Sequence, residues 1–99
     1  MNMMRVELFL ISDLPQTEEL LDTLTTEFGG YTSVSGDGAY VGNSGNIILD
    51  EVLICTMFIE DTLSNRTAVH EYMDEYRVLA EQESVLYVIN GNDATFITE

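Results

Sequence analysis

Lysine is absent from this chain, and its 3 arginines (Arg5, Arg66 and Arg77) face 18 aspartates and glutamates, for a formal net charge of −15. Nucleic-acid binding and attraction to an anionic membrane both depend on Lys and Arg neutralising phosphates. This charge therefore excludes either as an unaided activity. The single cysteine, Cys55, excludes an internal disulfide framework and a Cys-only zinc site. No apolar run is long enough for a membrane-spanning helix. The opening MNMMRVELFL lacks a basic segment followed by an apolar core and a cleavage site. A soluble, cytoplasmic protein is expected.

What is present suits one small globular domain over residues 1–99. Hydrophobic residues make up 45% of the chain and charged ones 21%, too apolar a balance for disorder. Arg5 to Ile11 alternates as a strand does, with Val6, Leu8 and Leu10 on one side and Phe9 and Ile11 on the other. After Pro15 a helix is expected, capped by Asp13 or Thr17, with Leu20, Leu21, Leu24 and Phe28 as its buried stripe and Gly29-Gly30 as its stop. Tyr31 to Val34 reads as a short strand and Ser35 to Gly38 as a turn. Ala39–Gly42 and Asn46–Leu49 read as the arms of a small hairpin around Asn43-Ser44-Gly45.

Glu51 to Ile59 runs almost without a polar break, the mark of a central strand covered on both faces. A second helix is expected from Thr62 or Ser64 to near Gln82, with Val69, Tyr72, Met73, Tyr76 and Leu79 inward. Val85 to Ile89 and Ala94 to Thr98 complete the strands, joined by a turn at Asn90–Asp93. This order predicts an α+β fold, a two-layer ferredoxin-like sandwich. Its antiparallel sheet carries two helices on one face and an extra hairpin in the middle.

Both faces of that sheet are apolar, and a face left in water should not be. Either the Ala39–Leu49 hairpin or a second copy of the chain must cover it. The expectation is a homodimer with Phe9, Ile11, Ile54, Phe58 and Tyr87 at its interface.

Three stretches carry a family resemblance: Gly36-Asp-Gly-Ala-Tyr40, the apolar strand after Glu51, and Gln82-Glu83-Ser84-Val85-Leu86 ahead of the fourth strand. In these the chain resembles an uncharacterised domain-of-unknown-function family of small bacterial and phage proteins with a ferredoxin-like layout. It departs from that pattern in lacking scattered basic residues. The resemblance implies the fold and transfers no catalytic residue.

Catalytic signals are sparse. His70, the only histidine, falls on the second helix with no nucleophile beside it in sequence and reads as a helix-flank residue. Cys55 lies in the most apolar strand, where burial raises a thiol's pKa and makes it inert. Gly36-x-Gly38 is followed by neither a helix nor a Lys, so it reads as turn glycine rather than a phosphate cradle. Asp37, Asn43, Asn46, Asp50 and Glu51 are oxygen donors, but their spacing fits no EF-hand loop. Tyr40 could line a small-molecule pocket, whereas Tyr72 and Tyr76 fall at core positions. No metal or cofactor is expected.

The acids carry the functional expectation. Glu18, Glu19 and Asp22 face outward on the first helix, and Glu71, Asp74, Glu75 and Glu81 on the second. One reading is solubility, or a high-salt origin. The sharper reading is a non-catalytic acidic inhibitor, of the anti-restriction or anti-CRISPR kind, whose carboxylates meet a basic protein partner. The alternatives are a dimeric small-molecule-binding or sensor module, restricted by the charge to neutral or cationic ligands, and a small enzyme with a dimer-interface site.

Overall fold

The computed structural model describes all 99 residues, Met1–Glu99. Five strands and two helices follow in the order β1 (Met3–Ile11), α1 (Pro15–Phe28), β2 (Thr32–Val41), β3 (Ile47–Glu60), α2 (Leu63–Leu79), β4 (Ser84–Ile89) and β5 (Asp93–Thr98). The sheet is antiparallel throughout, in the spatial order β2-β3-β1-β4-β5. Its first four strands have the split βαβ order of a ferredoxin-like sandwich, and β5 extends the β4 edge. The α+β architecture is the one expected.

Strand parity divides the sheet into two faces. Leu8 lies in register between Cys55 and Tyr87, and this parity continues through Met4, Val6, Leu10, Met57, Ile59, Val85 and Ile89. All of these are buried under Leu20, Leu21 and Leu24 of α1 and Val69, Met73 and Tyr76 of α2. The other parity carries Arg5, Glu7, Phe9 and Ile11 on β1, with Val52, Ile54 and Phe58 opposite them on β3. No helix covers that side.

Tyr87 belongs to the helix-covered parity, which corrects its expected place in an open-face interface. It is 6% exposed and its hydroxyl lies 2.8 Å from His70 Nδ1 on α2. Its partners across the sheet, Leu8 and Thr95, fix that direction.

The glycine-punctuated middle also differs from expectation. β2 runs unbroken through Gly36-Asp37-Gly38, because Gly36 pairs with Val52 and Gly38 with Asp50. Here the glycines are strand residues whose missing side chains admit close neighbours. A Cβ on Gly38 would lie 2.8 Å from Val52 Cγ2, whereas one on Gly36 would meet nothing within 4 Å. The hairpin around Asn43-Ser44-Gly45 is thus the far end of one long β2–β3 ribbon. It outruns β1, which stops at the Ile11–Val52 pair.

The helix ends differ in detail. α1 begins with Leu14 as cap and Pro15 inside, without a side-chain cap bond. Asp13 instead takes a left-handed φ of 62°. Thr17 is buried within the helix and donates to the Ile11 carbonyl at 2.6 Å. Thr62 caps α2 as expected, accepting from the Asn65 N–H at 3.0 Å. α2 closes at Leu79, before Gln82, because Glu81 turns left-handed (φ 55°). The Gln82 N–H then donates to the Arg77 carbonyl at 2.9 Å, and the Glu81 N–H to that of Val78 at 3.2 Å, a Schellman closure. Glu81 is therefore outside the helix on which its carboxylate was expected.

Candidate functional site

Beyond the end of β1 the β2–β3 ribbon curls over the open face and reaches the start of β4. The space enclosed is a cavity of about 470 Å³, open on one side. Its floor is built by parity: Phe9 and Ile11 from β1, Val52 from β3, Leu86 from β4 and Phe96 from β5. Its overhanging wall comes from Gly38, Ala39, Tyr40 and Val41. Gln82 and Ser84 supply polar edges, and Asp50 is the one charged residue in the lining.

The volume falls in the usual range for small-molecule sites, as does an apolar lining with few polar groups. Gly38 keeps the cavity open, since a side chain there would collide with Val52.

The electrostatics are one-sided. Tyr40 is held above the ordinary phenol pKa by burial first, then by the charges of Asp50 and Glu83 and a hydrogen bond to Asp50. It is a neutral O–H donor at physiological pH. Every arginine is engaged elsewhere: Arg5 with Glu7 at 3.5 Å, Arg66 with Asp61 at 2.7 Å and Asp93 at 3.5 Å, and Arg77 with Asp74 at 3.4 Å. No cation awaits a phosphate. Three aromatic rings (Phe9, Tyr40, Phe96) and one carboxylate instead make a lining suited to a cation with an apolar body.

The residues singled out from sequence separate cleanly. Phe9 and Ile11, expected in a dimer interface, are cavity floor. Ile54 and Phe58 share the open face farther along β3, and Phe58 is 64% exposed. Glu18, Glu19 and Asp22 on α1 and Glu71, Asp74 and Glu75 on α2 are exposed on the helix layer, away from the cavity. A shallow groove between the helices holds Glu19 and Glu75 beside Tyr72 and Tyr76.

Cys55 is fully buried, and burial pushes its thiol up to about 11. His70 is exposed and touches only Tyr87 among the polar groups. Asp37 to Glu51 forms no cluster of three or more metal-ligating side chains. Of the cavity residues, Tyr40 carried a pocket expectation from sequence. Asp50, Val52, Leu86 and Phe96 did not, because only the curl of the ribbon brings them together.

No protein-family model and no curated protein matches the chain. Solved structures do. It is similar to a phage SAM lyase in complex with S-methyl-5'-thioadenosine, at 18% identity and a TM-score of 0.76, covering 98% of this chain and 90% of that one. A phage SAM lyase in the apo state matches at 16% identity and a TM-score of 0.72, over 97% of this chain and 89% of that one. At such identity the likeness establishes a shared fold. It also corrects the expectation of a non-catalytic acidic inhibitor, because both of these structural neighbours, matched over nearly the whole chain, are lyases.

Proposed function

We propose that this protein is an S-adenosylmethionine lyase, binding the sulfonium substrate in the open-face cavity and releasing S-methyl-5'-thioadenosine. The observation that carries the reading is the cavity's composition. Aromatic side chains and Asp50 line it with no opposing cation, in a fold shared over nearly the whole chain with the phage lyases. S-adenosylmethionine carries its positive charge on sulfur, flanked by apolar carbon and an adenine ring. The net charge of −15, which bars phosphorylated nucleotides, favours encounter with such a cation.

The chemistry asks little of the protein. The bond from the sulfonium to the γ-carbon of the aminobutyrate arm breaks, and its electron pair stays on sulfur, so the thioadenosine leaves neutral. The substrate's own carboxylate forms the new C–O bond at that carbon, closing a lactone with no water consumed and no proton moved. An elimination would instead need a base, and Asp50 is the only acidic side chain in the lining. Internal displacement needs only a folded-up substrate held in place, which is catalysis by orientation. Phe9, Tyr40 and Phe96 would hold the sulfonium and its adenosine, with Asp50 facing the charge.

The test is incubation of the purified protein with S-adenosylmethionine, followed by chromatography with mass detection. Methylthioadenosine should appear in step with substrate loss, at a rate well above the uncatalysed control. If no product forms and calorimetry detects no binding of methylthioadenosine at millimolar concentration, the reading is wrong.

Self-association through the remainder of the open face belongs to the same proposal. Val34 and Phe58 are 59% and 64% exposed there, and Val34 continues through its partner Ile54 to Phe9 on the cavity floor. The helix-layer carboxylates lie on the opposite surface, leaving this face the least repulsive contact between two acidic copies. Light scattering should give a mass above 11.1 kDa at micromolar concentration. A clean single-chain mass would overturn this part.

A further inference from the structure

The tip of the β2–β3 ribbon is tied to the opposite edge of the sheet. The Gly42 N–H donates to the Asn46 carbonyl and the Gly45 N–H to that of Gly42, each at 2.9 Å, closing a three-residue loop with Gly45 left-handed. Asn43, within that loop, spends two donors across the gap. Its backbone N–H donates to Glu83 Oε2 and its Nδ2 to Glu99 Oε1, both at 3.1 Å. Glu99 is itself held beside Glu83 by its backbone N–H, which donates to the Glu83 carbonyl at 3.1 Å. Gly42 is buried at this junction, where a Cβ would lie 2.5 Å from Ile48 Cδ1 and 3.5 Å from Glu83 Oε2.

Two carboxylates therefore converge on one uncharged residue, with all three arginines engaged elsewhere. That arrangement is tolerable because Asn43 gives each carboxylate an N–H donor, and a hydrogen bond to a charged group is stronger than a neutral one. Tyr40 and Val41, the outer wall of the cavity, immediately precede this latch. Glu83 is also near enough to Tyr40 for its charge to help raise the phenol's pKa.

We propose that Glu83 is a positioning residue: through Asn43 it fastens the ribbon tip to β4 and thereby holds Tyr40 and Val41 over the cavity. The proposal rests on the reading of that cavity as the adenosyl-ligand site. Without the latch, the ribbon beyond Ile11 is a two-stranded hairpin with no third strand beside it, a marginal structure on its own.

The experiment compares wild type, Glu83→Ala and Glu83→Gln by two measurements: amide hydrogen exchange at Asn43 without ligand, and calorimetric titration with methylthioadenosine. Gln keeps an oxygen that accepts from the Asn43 N–H, whereas Ala removes it. The expected result is Asn43 exchange about tenfold faster and methylthioadenosine binding several-fold weaker in Glu83→Ala, with both largely restored in Glu83→Gln. Unchanged exchange in Glu83→Ala overturns the latch. Faster exchange with unchanged affinity overturns the positioning role. Normal exchange behaviour with no binding by the wild type overturns the cavity reading instead, and the positioning role falls with it.

Discussion

The two faces of the one sheet have opposite fates. The helix-covered face is dry: Met4, Val6, Leu8, Leu10, Cys55 and Met57 are each at most 1% exposed. The open face carries apolar side chains of similar size, yet Phe9 and Ile11 are only half-buried and Phe96 is two-thirds exposed. The first face supplies the stable core, and the second leaves apolar surface in contact with solvent. Because successive residues of a strand alternate between faces, neighbours such as Leu8 and Phe9 belong to different tasks.

The largest expected effect tests that division directly. Leu8→Ala, beneath both helices, should cost about 2–5 kcal/mol in a urea unfolding titration. Phe9→Ala should cost well under half of that, and should instead weaken methylthioadenosine binding in calorimetry. Equal destabilisation by the two substitutions would break the comparison.

One network crosses between the faces. The Tyr76 hydroxyl accepts from the Ile11 N–H at 2.9 Å and lies 2.8 Å from Thr17 Oγ1, which donates to the Ile11 carbonyl. Tyr76 is buried in the helix layer, while the Ile11 side chain lines the cavity. Tyr76→Phe strands the Ile11 N–H and should cost about 1–3 kcal/mol, the usual penalty for an unpaired buried donor. Wild-type stability in that variant would show that water satisfies the strand end.

Charge separates the faces further. Asp50→Asn should weaken S-adenosylmethionine binding by about tenfold, or 1.4 kcal/mol, because the cavity loses its one carboxylate. Binding of neutral methylthioadenosine should change far less. The comparison of the two ligands by calorimetry isolates the sulfonium, and equal losses would mean that Asp50 shapes the cavity rather than facing the charge.

How much of this was legible depended on the range of the interactions. The helix-covered face was readable because alternation in Arg5–Ile11 and the 3.6-residue stripes of α1 and α2 are local patterns. An apolar second face was readable too, as a problem without its solution. The Gly36–Gly38 stretch read as a turn because glycine usually punctuates chains. Its true role depends on Val52 and Asp50, across the ribbon, which no local rule supplies. Tyr87 was assigned to the wrong face because a strand apolar on both sides gives its parity no contrast. The acids drew attention by their number, yet the one in the cavity, Asp50, has no distinguishing neighbour in sequence.

The smallest expected effect lies where the two regions join. Glu81 ends α2 in a left-handed conformation (φ 55°) that suits glycine, one residue before Gln82 enters the cavity lining. Glu81 makes no side-chain hydrogen bond or ion pair that its replacement would break, and the Schellman bonds around it use backbone groups alone. Glu81→Gly removes the Cβ clash that disfavours this conformation in other residues, but it also loosens the unfolded chain. The net gain should be about 0.5–1 kcal/mol, or a few degrees in Tm for a domain of this size. Removing one negative charge from a strongly acidic chain acts in the same direction. If the faces are independent, methylthioadenosine affinity stays at the wild-type value while Tm rises. A change in affinity would mean that the end of α2 sets the position of the β4 wall, so that the stable layer and the binding layer share a joint at this residue.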